Sequence, residues 1–159
     1  MTQIERKLQS LGLALPRPLP MPAGVVLPFP WVRIVGQRAL ISGHGPQHAD
    51  GSLAEPLGKV GRELTLEQGH QAARLTALGI LASLQRALGD LDRITAWVRV
   101  FGMVNAAPGF DRMPAVINGF SELILELWGE AGRHARSAIG AAALPFDVPV
   151  EVEAVVEVG

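Results

Sequence analysis

A chain of 159 residues, 48% of them hydrophobic, suffices for one domain that buries roughly two-thirds of its unfolded surface. Its 14 basic and 15 acidic residues leave a formal charge of −1 with no basic block, so no nucleic-acid partner is expected. The absence of cysteine excludes disulfides and thiol catalysis. With no leader-like N-terminus and no apolar run near the roughly 18 residues that span a bilayer, the expectation is a soluble, cytoplasmic protein without a membrane partner.

Thr2-x-x-Glu5 has capping-box spacing, and Ile4, Leu8 and Leu11 recur at helical intervals, which predicts a short amphipathic helix ending by Gly12. Pro16, Pro18, Pro20 and Pro22 then forbid a helix and give an extended connector. The predicted organisation is therefore an N-terminal helix with a Pro-rich connector over 1–30 and a single domain over 31–159. Residues 31–35 and 38–42 read as strands around Gly36-Gln37, a two-residue hairpin signal. Gly43, Gly45 and Pro46 make a tight loop whose backbone amides can face a ligand, and Asp50-Gly51 signals another turn. A further short strand is expected before the first long helix.

Thr65-x-x-Gln68 opens that helix, and Ala73, Ala77, Ile80, Leu81, Leu84 and Leu88 form one stripe along it. Gly89 closes it. Residues 94–104 read as a strand with Trp97, Arg99, Phe101 and Met103 on one side. A second helix follows over about 111–128, with Pro114 in its first turn and Val116, Ile117, Phe120, Leu123, Ile124 and Leu127 at core spacing. Strands near 136–141 and 148–158 complete the chain. The last alternates Glu151, Glu153 and Glu157 on one face with Val150, Val152, Ala154, Val156 and Val158 on the other. This order predicts an α+β fold with both helices packed on one face of the sheet. No element remains to cover the second face, so self-association is expected.

Arg136 stands between small residues in a half-buried strand, where a cation needs an anionic partner. If the last two strands are antiparallel neighbours, they bring it to the same rim as Glu151 and Glu153. It is then either a cross-strand ion pair or an anchor for a ligand carboxylate, which its planar fork of donors matches. His44 and His48 flank Gly45 and Pro46 and share no helix face, and His70 has no second ligand nearby, so no metal site is expected. Gly43-x-Gly45 is too short for a nucleotide fingerprint, and no cofactor is expected.

Several segments occur in a telling order: Leu40-Ile-Ser-Gly-His-Gly-Pro46, Gly89-Asp90, Val116-Ile-Asn118, Ala135-Arg-Ser137, Leu144-Pro145 and Val150-Glu-Val-Glu-Ala154. Over about residues 36–158 the chain resembles the RidA/YjgF family, formerly called L-PSP endoribonucleases. It looks most similar to a branch that carries an N-terminal helix and the Gly132-x-His-Ala-Arg136 variant. The resemblance implies a chorismate-mutase-like fold assembled as a homotrimer, with ligand clefts between subunits. It implies an enamine/imine deaminase that hydrolyses reactive 2-imino acids to 2-keto acids and ammonia. In that reading Arg136 holds the carboxylate of a small ligand, Glu151 positions or activates water, and the main chain of Gly43 and Ala138 contacts the ligand. Asn118 matches a family asparagine and is a secondary candidate. His134 replaces a common proline and either touches ligand or is an ordinary solvated or core-edge histidine. One departure stands out: the chain has no tyrosine, and Val26 or Phe29 falls where active members place one. The alternative is a trimeric small-carboxylate-binding or chaperone-like protein without efficient turnover.

Overall fold

The computed structural model describes all 159 residues, running through α1 (Gln3–Ser10), β1 (Val32–Val35), β2 (Arg38–His44), α2 (Leu66–Leu88), β3 (Ile94–Asn105), α3 (Met113–Trp128), β4 (Ala135–Ala141) and β5 (Val150–Val158). Both capping boxes form as their spacing requires: Thr2 with Glu5 opens α1, and Thr65 with Gln68 opens α2. Gly89 ends α2 in the left-handed conformation at φ 80°. The second long helix starts at Met113 rather than near 111, with Arg112 at its N-cap making no side-chain bond.

The five strands form one sheet in the order β1-β2-β5-β3-β4. Every pairing is antiparallel except β3 with β4, which is parallel because α3 carries the chain back across the sheet between them. This corrects a key expectation: β4 and β5 are not neighbours, since β3 lies between them. The expected short strand before α2 is reduced to isolated bridges, Gln47 with Leu53 and Val60 with Leu64.

The valine face of β5 is buried as its alternation predicts, and it packs beneath α2 and α3 with Phe120, Leu81 and Leu84 in one core. A register shift between Trp97 and Arg99 splits the side expected to hold both. Trp97 turns toward the helices, 6.0 Å from the Phe120 ring and 5.4 Å from Trp128. Arg99, Phe101 and Met103 stay on the opposite face.

Gly119 sets the distance between the two long helices, since a Cβ there would overlap the His70 carbonyl oxygen. The N-terminal helix joins the same layer. Asp92 accepts from the backbone N–H groups of Gln3 (2.8 Å) and Ile4 (3.0 Å), and Ile4 and Leu8 are buried. Lys7 donates to the Leu127 carbonyl at 2.8 Å, where the C-terminal end of α3 favours a cation. The other sheet face stays open: Leu40 and Ile139 are exposed, and Phe101, Met103 and Val155 are half-buried. No helix is long and apolar enough to cross a membrane.

Candidate functional site

Two polar clusters carry the predicted residues. The first forms where β2 leaves regular pairing with β5, at the register shift between Ile41 and His44. The shift brings the Gly43 backbone against Glu151: a Cβ on Gly43 would lie 3.0 Å from the carboxylate, which would have to shift slightly to admit it. Glu151 is half-buried and has neither a hydrogen bond nor an ion pair. Burial, reinforced by the neighbouring charge of Glu153, raises its pKa above the usual carboxylate range. A carboxylate without a partner and with raised basicity is suited to take a proton from water.

Glu151 lines a cavity of about 570 Å³, counted with the space open at its mouth. Leu19, Trp31, Val148 and Phe146 supply apolar wall. The Pro-rich connector reaches the cavity because the Arg17 N–H is tied to the Ala49 carbonyl at 3.0 Å. A hydrogen-bonded chain lines the same cavity. His44 Nδ1 is 2.6 Å from the Ser42 carbonyl, which can only accept, so Nδ1 carries the proton. Nε2 is therefore an acceptor and takes the Ser83 hydroxyl at 2.7 Å. The Ser83 oxygen in turn accepts from Arg86 at 3.0 Å.

The second cluster lies at the far edge of the sheet, around Arg136. Its guanidinium donates to Asn118 Oδ1 at 2.9 Å, to Ser121 Oγ at 3.1 Å and to the Pro114 carbonyl at 3.4 Å. His134 supports this arrangement: Nδ1 donates to the Gly132 carbonyl at 2.7 Å, and Nε2 lies 2.9 Å from Ser121 Oγ. Burial holds the His134 pKa below its usual value. Asn118 and His134 thus sit beside Arg136, with His134 at the core edge acting through Ser121. Ala138 follows on the same edge strand, paired with Gly102.

Arg136 and Glu151 do not meet within one chain. In register, Arg136 is opposite Val100 and shares its face beneath the helices, whereas Glu151 is opposite Met103 on the open face. Two strand spacings, roughly 10 Å, add to that separation. The cross-strand ion pair is absent too, since every partner of Arg136 is a neutral oxygen.

The sequence reading gathers Glu151, Gly43, Arg136, Ala138, Asn118 and His134 at one ligand cleft, whereas within one chain Glu151 and Gly43 lie apart from the cluster around Arg136, and it misses Ser83 and Arg86. They are three residues apart at the end of α2, where a polar pair reads as ordinary helix surface. In sequence His44 reads only as a metal candidate, whereas in the fold it works as a neutral acceptor. No group of three or more His, Asp or Glu side chains converges in a way that could hold a metal ion.

The buried His44 also predicts how stability depends on pH. Burial lowers its pKa from 6.5 to about 4, partly offset by the Ser42 carbonyl bond, with the Arg86 charge acting in the lowering direction. Above 6.5 both folded and unfolded chains keep it neutral; below that, only the unfolded chain gains the proton. Stability is therefore full above pH 6.5 and falls by about 3 kcal/mol as pH drops through 4. His134 acts in the same direction. Urea unfolding at pH 7 and pH 4.5 checks this, and His44→Gln should flatten the difference.

Comparison with known proteins agrees with this architecture. A family model described as "YjgF/chorismate mutase-like, putative endoribonuclease" matches residues 5–157. Protein TCP17 of Trypanosoma cruzi is 40% identical over 158 residues, covering 98% of this chain and 94% of its own. Among solved structures, the protein Atu1372 of Agrobacterium tumefaciens, of unknown function, is 38% identical with a TM-score of 0.86, over 98% of this chain and 91% of that one. A Shewanella oneidensis protein bearing the same endoribonuclease description is 32% identical, also with a TM-score of 0.86, over 99% of this chain and all of that one. The match runs through α1 as well as the sheet and reaches nearly the end of β5. The chain belongs to the YjgF/chorismate-mutase-like family.

Proposed function

We propose that the protein hydrolyses small 2-imino acids to 2-keto acids and ammonia, in a cleft made by two copies of the chain. The observation that carries this reading is Glu151, an unpartnered, half-buried carboxylate of raised pKa on the wall of an open cavity. Arg136 supports it as an anchor fixed in advance by Asn118 and Ser121, with a guanidinium edge left to pair with a carboxylate. Because the two groups face opposite sides of the sheet, one ligand can reach both only if the arginine comes from a second subunit. The uncovered apolar face of the sheet gives that subunit a surface to bury.

The chemistry balances with these groups. Glu151 accepts a proton from water as the hydroxyl oxygen bonds to the iminium carbon, giving a carbinolamine. The protonated Glu151 returns that proton to the amine nitrogen. The C–N bond breaks as the C=O bond forms, and the hydroxyl proton leaves with ammonia as ammonium, so iminium and water become ketone and ammonium. Holding the carboxylate on Arg136 of the partner subunit keeps the imine carbon in reach of that water.

Freshly generated 2-imino acids should decay faster with the protein present than by spontaneous hydrolysis, and the solution mass should be about three times the 16.9 kDa chain. A stable monomer by light scattering would remove the shared cleft. Trp31, its ring 5.0 Å from that of His44, lines the cavity of a chain that has no tyrosine, which favours the second reading, a carboxylate binder without turnover. Binding of 2-keto acids without any acceleration of imine decay would select it.

A further inference from the structure

Two arginines are held in the same way, although they line different cavities. Around Arg136, a backbone carbonyl (Gly132) fixes the tautomer of His134, whose Nε2 meets Ser121, and Ser121 accepts from the guanidinium. Around Arg86, the carbonyl of Ser42 fixes His44, Nε2 takes Ser83, and Ser83 accepts from the guanidinium. In both, the carbonyl lies two residues before the histidine, and the serine projects from a long helix. The hydroxyl is spent on the imidazole, so its oxygen is left to accept and hold the arginine in place.

Arg86 differs in one respect. Ser83 is its one hydrogen-bond partner, and no carboxylate pairs with it, so most of its N–H donors are uncommitted at the cavity wall. Glu151 is the one other charged group lining that cavity. Partial burial lowers the Arg86 pKa, a sign that the charge is incompletely solvated.

We infer that Arg86 is a second anion anchor and that the cavity takes a dicarboxylate, with the distal carboxylate on Arg86 and the reacting carbon at Glu151. This rests on the reading of the Glu151 cavity as the ligand site and narrows its substrate class to 2-imino acids bearing a second carboxylate. Ser83 and His44 are positioning residues that aim the guanidinium. Val148 and Trp31 line the same cavity as the two charged groups.

Calorimetry with 2-oxoglutarate and 2-oxopentanoate tests it, because these product-like acids share a chain length and differ at the distal end. The wild-type protein should bind 2-oxoglutarate roughly 10-fold or more tightly than 2-oxopentanoate, the effect of one charge-assisted pair. In Arg86→Met, which keeps an unbranched stem on the helix, the two affinities should converge. Arg86→Lys should keep part of the preference, and Ser83→Ala should reduce the ratio while circular dichroism stays unchanged. A ratio near one in the wild-type protein, or a preference that survives Arg86→Met, overturns the second anchor and leaves the cavity reading standing. Binding of neither acid overturns both.

Discussion

Glu151→Gln will slow the protein-dependent hydrolysis of 2-imino acids by roughly 10²–10⁴-fold while leaving 2-keto acid affinity within about twofold. The amide keeps the shape of the group against Gly43 but cannot take a proton from water. Arg136→Ala should lose both binding and turnover, and Arg136→Lys should recover little, because an ammonium cannot reproduce the two-pronged contact. The pair of variants also tests where the two groups meet. If each cleft combines Glu151 of one subunit with Arg136 of the next, every mixed trimer of the two variants contains one intact cleft. Equal co-expression should then restore about a quarter of wild-type activity, although neither variant alone is active. Two inactive variants that stay inactive when mixed would place both groups in one chain or remove one of them from the reaction.

Gly119→Ala should be among the most damaging small substitutions in this protein. The new Cβ would overlap the His70 carbonyl oxygen, a backbone atom in the second turn of the facing helix that cannot swing aside. Relief requires α2 and α3 to part along a core that includes Ile117, Phe120 and Ile124. The expected loss is about 3 kcal/mol or more, which for a domain of this size lowers the melting temperature by roughly 6–12 °C. Gly45→Ala is the control, because its Cβ finds an ordinary contact with Val148 at 3.5 Å. Equal melting temperatures for the two variants would show that the helices are not fixed by this contact.

The local chemistry of the chain is legible without coordinates. Thr2 with Glu5 and Thr65 with Gln68 announce two helix starts, and Gly89 a helix end, because capping depends on residues within one turn. The alternation of 150–158 correctly sets Glu151, Glu153 and Glu157 on the face opposite Val150, Val152, Val156 and Val158, since a strand's period is a property of its own backbone. Arg136 and Glu151 are legible as candidates, carried by residue type and by the family resemblance. Pairing partners are not. Nothing in the residues of β4 and β5 says that β3 lies between them, and that insertion sends Arg136 and Glu151 to opposite faces. The register shift beside Trp97 is equally silent, because a bulge is settled by what the neighbouring strand and helix can bury. His44 meets Ser83, 39 residues further along the chain, and through it Arg86, in contacts that exist only once α2 lies across the end of β2. Sequence by itself determined where the two capped helices begin and which face of β5 turns inward, because both depend on neighbouring residues; only tertiary structure decided which polar groups share a cavity, because that depends on strand order and helix placement, which are set by packing between distant segments.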